Sequence, residues 1–181
     1  MSKNEMSIKI NGNILEIIKG DITAQETDAI VNAANSRLAP GGGVAGAIHE
    51  KAGSELWEEC KKLGGCRTGE AKITKGYNLK ASYIIHTVGP IYSGSDDDPI
   101  LLGASYENSL KLAKEKGLES ISFPALSTGA FGYPKREAAE IAFNTIIEFL
   151  KNNKKPSHIR MVLYSEKDFN LHNEVLKNLL S

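Results

Sequence analysis

Residues 28–49 read DAIVNAANSRLAPGGGVAGAIH. The first part, DAIVNAA, is short, apolar and β-branched, the pattern of a buried strand that ends at the asparagines. Beyond Pro40 three glycines run straight into a stretch whose apolar spacing is helical. Strand, glycine loop and helix in this order form the unit of an α/β sheet. Glycine loses more backbone entropy on folding than any other residue, so three at a helix mouth answer a local need. They either permit a tight turn and close helix–sheet packing, or leave main-chain N–H groups free for an anion at the positive end of the helix.

The same context recurs at residues 121–132, ISFPALSTGAFG, where a strand pattern leads into a second glycine loop. A helix follows from about Lys135 to Leu150, with Ala138, Ile141, Ala142, Thr145, Ile146 and Phe149 on one face. Elsewhere, SIKINGNILEII alternates about an Asn-Gly pair, a hairpin signal. Helical spacing runs from Val44 to Leu63, with a break at Gly53-Ser54 where Ser54 can cap a second helix. GEAKITKG (70–77) and SYIIHTV (82–88) read as strands, and 99–116 as a helix closed by Gly117. HIRMVLYS reads as a last buried strand and DFNLHNEVLKNLL as a terminal helix. Strands alternate with helices almost throughout. The expected fold is α/β, with helices on both faces of a largely parallel sheet, in a single domain over 1–181.

Composition narrows the function classes. Lys plus Arg and Asp plus Glu both number 22, so the formal net charge is zero and a long nucleic acid is not the expected partner. No apolar segment reaches the length of a membrane span, and MSKNEMSIKI lacks the apolar core of a secretory signal. Cys60 and Cys66 lack partners at zinc spacing, and the sequence implies no metal and no cofactor. They read as reduced thiols, and the expected location is the cytoplasm. His86, at alternating spacing in IIHTVGP, reads as a satisfied core histidine, and Asp96, Asp97 and Asp98 as a solvated loop tip.

In open α/β sheets ligands bind beyond the carboxyl ends of the strands. Neither G-x-x-x-x-G-K-[ST] nor G-x-G-x-x-G after the first strand is present, against a P-loop NTPase or a nicotinamide-type Rossmann domain. Two glycine loops in the same setting favour an anion site, one able to hold a diphosphate between them.

GDITAQETDAIVNAANSRLAPGGGVAGAIHEKAG, then CRTGEAKITKGYNL, IIHTVGP and FPALSTGAFGYP, in this order over about residues 14–165, closely resemble the macro domain family, within it the branch related to MacroD-type enzymes. The resemblance implies a three-layer α/β/α fold around a central mixed, mostly parallel sheet. It also implies binding of ADP-ribose and hydrolysis of ADP-ribosyl esters, on acidic side chains of proteins or in O-acetyl-ADP-ribose. By resemblance Asp21 accepts a hydrogen bond from the adenine amine, Ile22 contributes its backbone, and Tyr164 stacks on the base. Asn35 contacts the distal ribose and positions the attacking water, while Asn32 bonds loop backbone. Ala33 and the stretch Gly41, Gly42, Gly43, Val44 and Ala45 line one side of the diphosphate and ribose. Ser127, Thr128, Gly129, Ala130 and Phe131 line the other.

One departure matters. MacroD-type enzymes commonly carry GGGGVDGAIH at this loop, whereas this chain reads PGGGVAGAIH, so Ala45 replaces the acidic residue that helps activate water. Family members with GGGVAGA hydrolyse without it, the substrate's own phosphate orienting the water. His49, four residues beyond Ala45, reads as structural. The alternatives are a module that binds ADP-ribose without cutting it, and a phosphatase acting on ADP-ribose 1″-phosphate.

Overall fold

The computed structural model describes residues 5–181; the first four residues of MSKNEMSIKI, a stretch without the apolar core of a secretory signal, lie outside them. A hairpin opens the chain: β1 (Glu5–Ile10) and β2 (Asn13–Lys19) pair antiparallel across Asn11 and Gly12. Their φ values are 53° and 80°, the left-handed pair that an Asn-Gly turn supplies. A 3-10 turn (Ile22–Ala24) leads to β3 (Ala29–Ala33), followed by α1 (Gly43–Ala52), α2 (Ser54–Lys62), β4 (Ala71–Lys75) and β5 (Tyr83–Thr87). Next come α3 (Asp97–Glu115), β6 (Ser120–Phe123), α4 (Lys135–Asn152), β7 (His158–Leu163) and α5 (Glu166–Leu180).

All seven strands form one sheet in the order β1-β2-β7-β6-β3-β5-β4. The interior pairs are parallel; the two outermost pairs, β1–β2 and β4–β5, are antiparallel. The sheet is therefore mixed, with its parallel part in the middle.

Alternation along β3 distributes the core. Ala29 and Val31 point into a cluster with Tyr106, Phe123, Phe143 and Leu176, formed with α3, α4 and α5. Ile30 points the other way, among Ile48, Ala52, Leu56 and Cys60 of α1 and α2. Burial on both faces explains why DAIVNAA reads as a continuous apolar run rather than an alternating one.

Several boundaries move from the sequence reading. Ser54 is the first residue of α2 and not its cap; Gly53, at φ 94°, ends α1 and begins α2 with no side-chain cap. The α3 helix starts at Asp97, and Asp98 is no solvated loop residue: it is buried, and its carboxylate accepts from Ser93 N, Ser93 Oγ and Gly94 N. The terminal helix begins at Glu166, where Ser165 Oγ accepts from Asp168 N as its cap.

Candidate functional site

The chain after β3 crosses over α1 and α2 to β4 and β5 on one side, whereas the chain after β6 crosses over α4 to β7 on the other. Adjacent β3 and β6 therefore flank a topological switch point, where α/β sheets place their ligands. A cavity of about 320 Å³ lies there. One wall is Ala33, Ala34, Asn35 and Gly41 through Ala45; the other is Ala125, Ser127, Gly129, Ala130 and Phe131. Larger hollows of 800 and 680 Å³ are open surface grooves lined by lysines, glutamates and asparagines at the C-terminal turns of α3 and α4. They meet the carboxyl end of no parallel strand and present no paired glycine loops, so the smaller cavity is the better site.

The donors are in the glycine loops. In α1 the first intrahelical bond runs from Gly46 N to Gly42 O at 3.1 Å. The N–H groups of Gly43, Val44 and Ala45 precede it and have no acceptor among the described residues. Gly42 caps the helix without a side-chain bond, and a Cβ on Gly42 or Gly43 would meet nothing within 4 Å. That space is cavity. Gly46 serves a different purpose: a Cβ there would lie 2.2 Å from Gly41 O, so only glycine lets the loop fold down on the helix.

The second loop closes through Tyr133 N to Ser127 O at 2.9 Å and Gly132 N to Gly129 O at 3.0 Å. Between them the N–H groups of Ser127 through Phe131 find no acceptor among the described residues. Successive unpaired amides form an anion-binding concavity, here facing the positive end of α1. Ser127 holds φ 67°, and its Oγ is buried, without a partner, against Gly89. Thr128 does not line the cavity; its hydroxyl donates to Ala125 O at 2.9 Å and shapes the turn.

Asn35 organises its own loop. Its Oδ1 accepts from Arg37 N at 3.1 Å and Ala39 N at 3.0 Å, and its Nδ2 donates to Ala39 O at 2.9 Å. Both acceptor positions are taken, so the amide offers the cavity one N–H and no lone pair. It is poised to donate to a hydroxyl; the water-accepting half of the expected role is occupied. Asn32 departs from the sequence reading altogether. It is buried in β3 and, instead of bonding loop backbone, its Nδ2 donates to His86 Nδ1 at 3.0 Å. His86 Nε2 then donates to Thr74 Oγ1 at 2.9 Å, a satisfied core histidine whose pKa burial pushes down to about 3, with His49 adding to the shift.

Asp21, Ile22 and Tyr164 lie outside the cavity lining, on a ledge where β2 and β7 end, tied by Gly20 N to Leu163 O at 2.9 Å. Asp21 caps the 3-10 turn, Oδ1 accepting from Thr23 N and Oγ1 at 2.9 and 2.8 Å. Ile22 packs in the same cluster as Val44, which joins the ledge to the cavity. Tyr164 is 84% exposed, so its ring is free rather than packed in the core.

No lining side chain of the cavity ionises. His49 is buried behind Ala45 with both ring nitrogens unpartnered, and burial lowers its pKa. Cys60 is buried and its thiol is pushed up to about 11, chiefly by burial and then by Glu59, which removes it as a nucleophile. Among the described residues no three His, Cys, Asp or Glu side chains gather as a metal site. Sequence reasoning missed Ala34, Gly46, Gly89 and Ala125. A glycine inside the first turn of a helix was the one available signal, since helix propensity disfavours it there.

The description "Macro domain" fits residues 31–142. An O-acetyl-ADP-ribose deacetylase of Cronobacter turicensis is 46% identical over 167 residues, covering 90% of this chain and 95% of that protein. ADP-ribose glycohydrolase MACROD2 of Xenopus laevis is 46% identical over 175 residues, 93% of this chain but 42% of that protein. The Oceanobacillus iheyensis macrodomain, solved with ADP, superposes at a TM-score of 0.94 with 48% identity, covering 97% of this chain and 96% of that one. Loops, cavity and relatives agree: this chain belongs to the macro domain family.

Proposed function

We propose that the protein binds ADP-ribose in this cavity and hydrolyses ADP-ribosyl esters, those on Glu or Asp side chains of proteins and O-acetyl-ADP-ribose. The observation that carries the reading is the pair of loops flanking one switch point, whose cavity-lining residues leave N–H groups unpaired, three at the start of α1 and four at Ser127, Gly129, Ala130 and Phe131. Such preorganised dipoles hold a diphosphate and take up charge without reorganising during the reaction. The adenine lies on the exposed ledge between Asp21 and Tyr164, and the distal ribose lies against Phe131 with Asn35 donating to a hydroxyl.

Ala45 supplies no carboxylate and no lining group ionises, so the substrate's own phosphate orients the attacking water and accepts its proton. A glutamyl or aspartyl ester leaves as a carboxylate and needs no general acid. The chemistry then rests on positioning, which can lower a barrier by several kcal/mol. Relatives named as a deacetylase and a glycohydrolase support an enzyme over a binding module. The two buried, free cysteines fit the proposed cytoplasmic setting.

Incubation with glutamate-ADP-ribosylated protein, with products identified by mass spectrometry, tests this directly. Release of ADP-ribose is expected. Tight calorimetric binding without release identifies a binding module, and loss of phosphate from ADP-ribose 1″-phosphate alone identifies the phosphatase. Ala45→Asp adds a carboxylate at the helix N-terminus and is expected to raise turnover about tenfold, less than the roughly hundredfold of a fully positioned general base because the phosphate already assists. Unchanged turnover would show that the phosphate-assisted route already suffices.

A further inference from the structure

Phe131 closes the cavity on one side, and just beyond it lies a second hollow that the chemistry above leaves unused. The carbonyl of Phe131 accepts from Tyr92 N at 2.9 Å, joining the second glycine loop to the loop after β5. Tyr92 and Tyr133 meet edge to face, ring centroids 4.9 Å apart. With Asp98, Glu137, Glu140 and Ile141 they line a groove of about 350 Å³.

Three features of this groove point to an occupant. Tyr133 is 4% exposed, yet its hydroxyl makes no hydrogen bond among the described residues. Asp98 and Glu137 line the same groove, and the Tyr133 phenol is raised chiefly by burial, then by their charges. Glu137 and Glu140 are exposed and form no ion pair among the described residues, although α4 carries Lys135 and Arg136 beside them. Those two cations are engaged elsewhere, with Asp168 and Glu174 of α5. Finally, part of the lining is apolar: Tyr92 is 39% exposed, with Pro99 and Ile141 beside it. An aromatic, acidic groove with a phenolic hydroxyl open to it and free of protein partners is complementary to a long cationic side chain. Its methylenes cover apolar surface while its N–H groups meet carboxylate, hydroxyl and ring face.

Resting on the reading of the cavity given above, we infer that this groove receives an arginine or lysine side chain of the polypeptide that carries the ADP-ribosyl group. Phe131 separates the distal ribose from the groove, so a cation a few residues from the modified side chain falls into it. The groove then selects the carrier protein, while the cavity selects the nucleotide.

The test uses two peptides bearing ADP-ribose through an uncleavable linkage, one flanked by arginines and one by glutamines, with free ADP-ribose as reference. At low salt the wild type is expected to bind the arginine peptide about fivefold more tightly, the size that one exposed ion pair plus one cation–π contact supports. The double variant Glu137→Gln, Glu140→Gln is expected to abolish that preference while binding free ADP-ribose as the wild type does. Equal binding of both peptides by the wild type, or a preference that survives in the double variant, overturns the groove's role and leaves the cavity's reading standing. Failure of free ADP-ribose to bind the wild type overturns both.

Discussion

Ser127 combines two costs at one residue. Its φ of 67° lies in the left-handed region, uncommon for a side chain without the local hydrogen bonding of Asn or Asp. Its hydroxyl is buried, unpartnered and turned against Gly89, where a Cβ would stand 2.2 Å from Oγ. Strain of this kind persists where the surroundings enforce it, and here it aims the run of free amides at the cavity. If those amides read the ligand, the hydroxyl is dispensable. Ser127→Ala is therefore expected to stabilise the free protein by about 1 kcal/mol, the cost of an orphaned buried polar group, and to change ADP-ribose affinity less than twofold. Urea denaturation and calorimetry measure the two effects. A tenfold loss of affinity in a folded variant would show that the hydroxyl turns to the ligand instead. Asn35 carries a related lesson: its type and place in NAAN were readable, but how many of its hydrogen-bonding positions the loop consumes depends on the loop's conformation.

The beginning of α1 assigns different duties to glycines that look alike in sequence. At Gly46 a methyl group would strike the Gly41 carbonyl, which is backbone and cannot swing aside. At Gly42 a methyl group would enter open cavity. Gly46→Ala is expected to destabilise the fold by about 1–3 kcal/mol, as overpacking does, and to weaken ADP-ribose binding because the loop must lift from the helix. Gly42→Ala is expected to leave the melting temperature within about 2 °C and still weaken binding, its methyl occupying the diphosphate space. Equal stability losses in the two variants would refute this division. At this scale the sequence was informative wherever a local signal acted alone. The Asn-Gly turn, the glycine loops and the centre of the α4 face were legible because period and turn chemistry determine them, although the buried face extends to Ala139, Phe143 and Leu150 and leaves Ile141 and Thr145 half-buried. The start of α2 was misplaced by one residue, since Ser54 has the chemistry of a cap but Gly53 has the backbone freedom that two abutting helices need. Asp98 was misread because its three partners come from a loop that folds back onto the helix, a contact no spacing rule encodes.

Across the whole molecule, the parallel interior of the sheet followed from strand–helix alternation, whereas the strand order did not, because it depends on which way each crossover turns. That order brings NAAN and STGAFG together across β3 and β6 although about ninety residues separate them in sequence. It also fixes where histidines are buried, and this has a consequence for pH. His86 is held neutral, pushed down to about 3 by burial and by nearby His49; His49 is lowered by burial; His172 is lowered by burial against the opposing pull of Asp168. In the unfolded chain each takes up a proton near pH 6.5. Between that value and the lower native values the unfolded state binds more protons, so stability rises with pH across the interval. The contribution is fully present above about pH 6.5 and is lost as pH falls towards the native values, at no more than about 1.4 kcal/mol per pH unit for each histidine. The carboxylates held low by hydrogen bonds, among them Asp98 and Glu119, lose theirs only below the ordinary carboxylate range. Acid weakening should therefore begin well before any carboxylate protonates. The urea midpoint is expected to be level from pH 8 to 7 and to fall steadily from 6.5 to 4.5. A midpoint that holds level down to pH 5 would mean that these histidines reach water, and that the core beneath α1 and α5 is looser than its packing indicates.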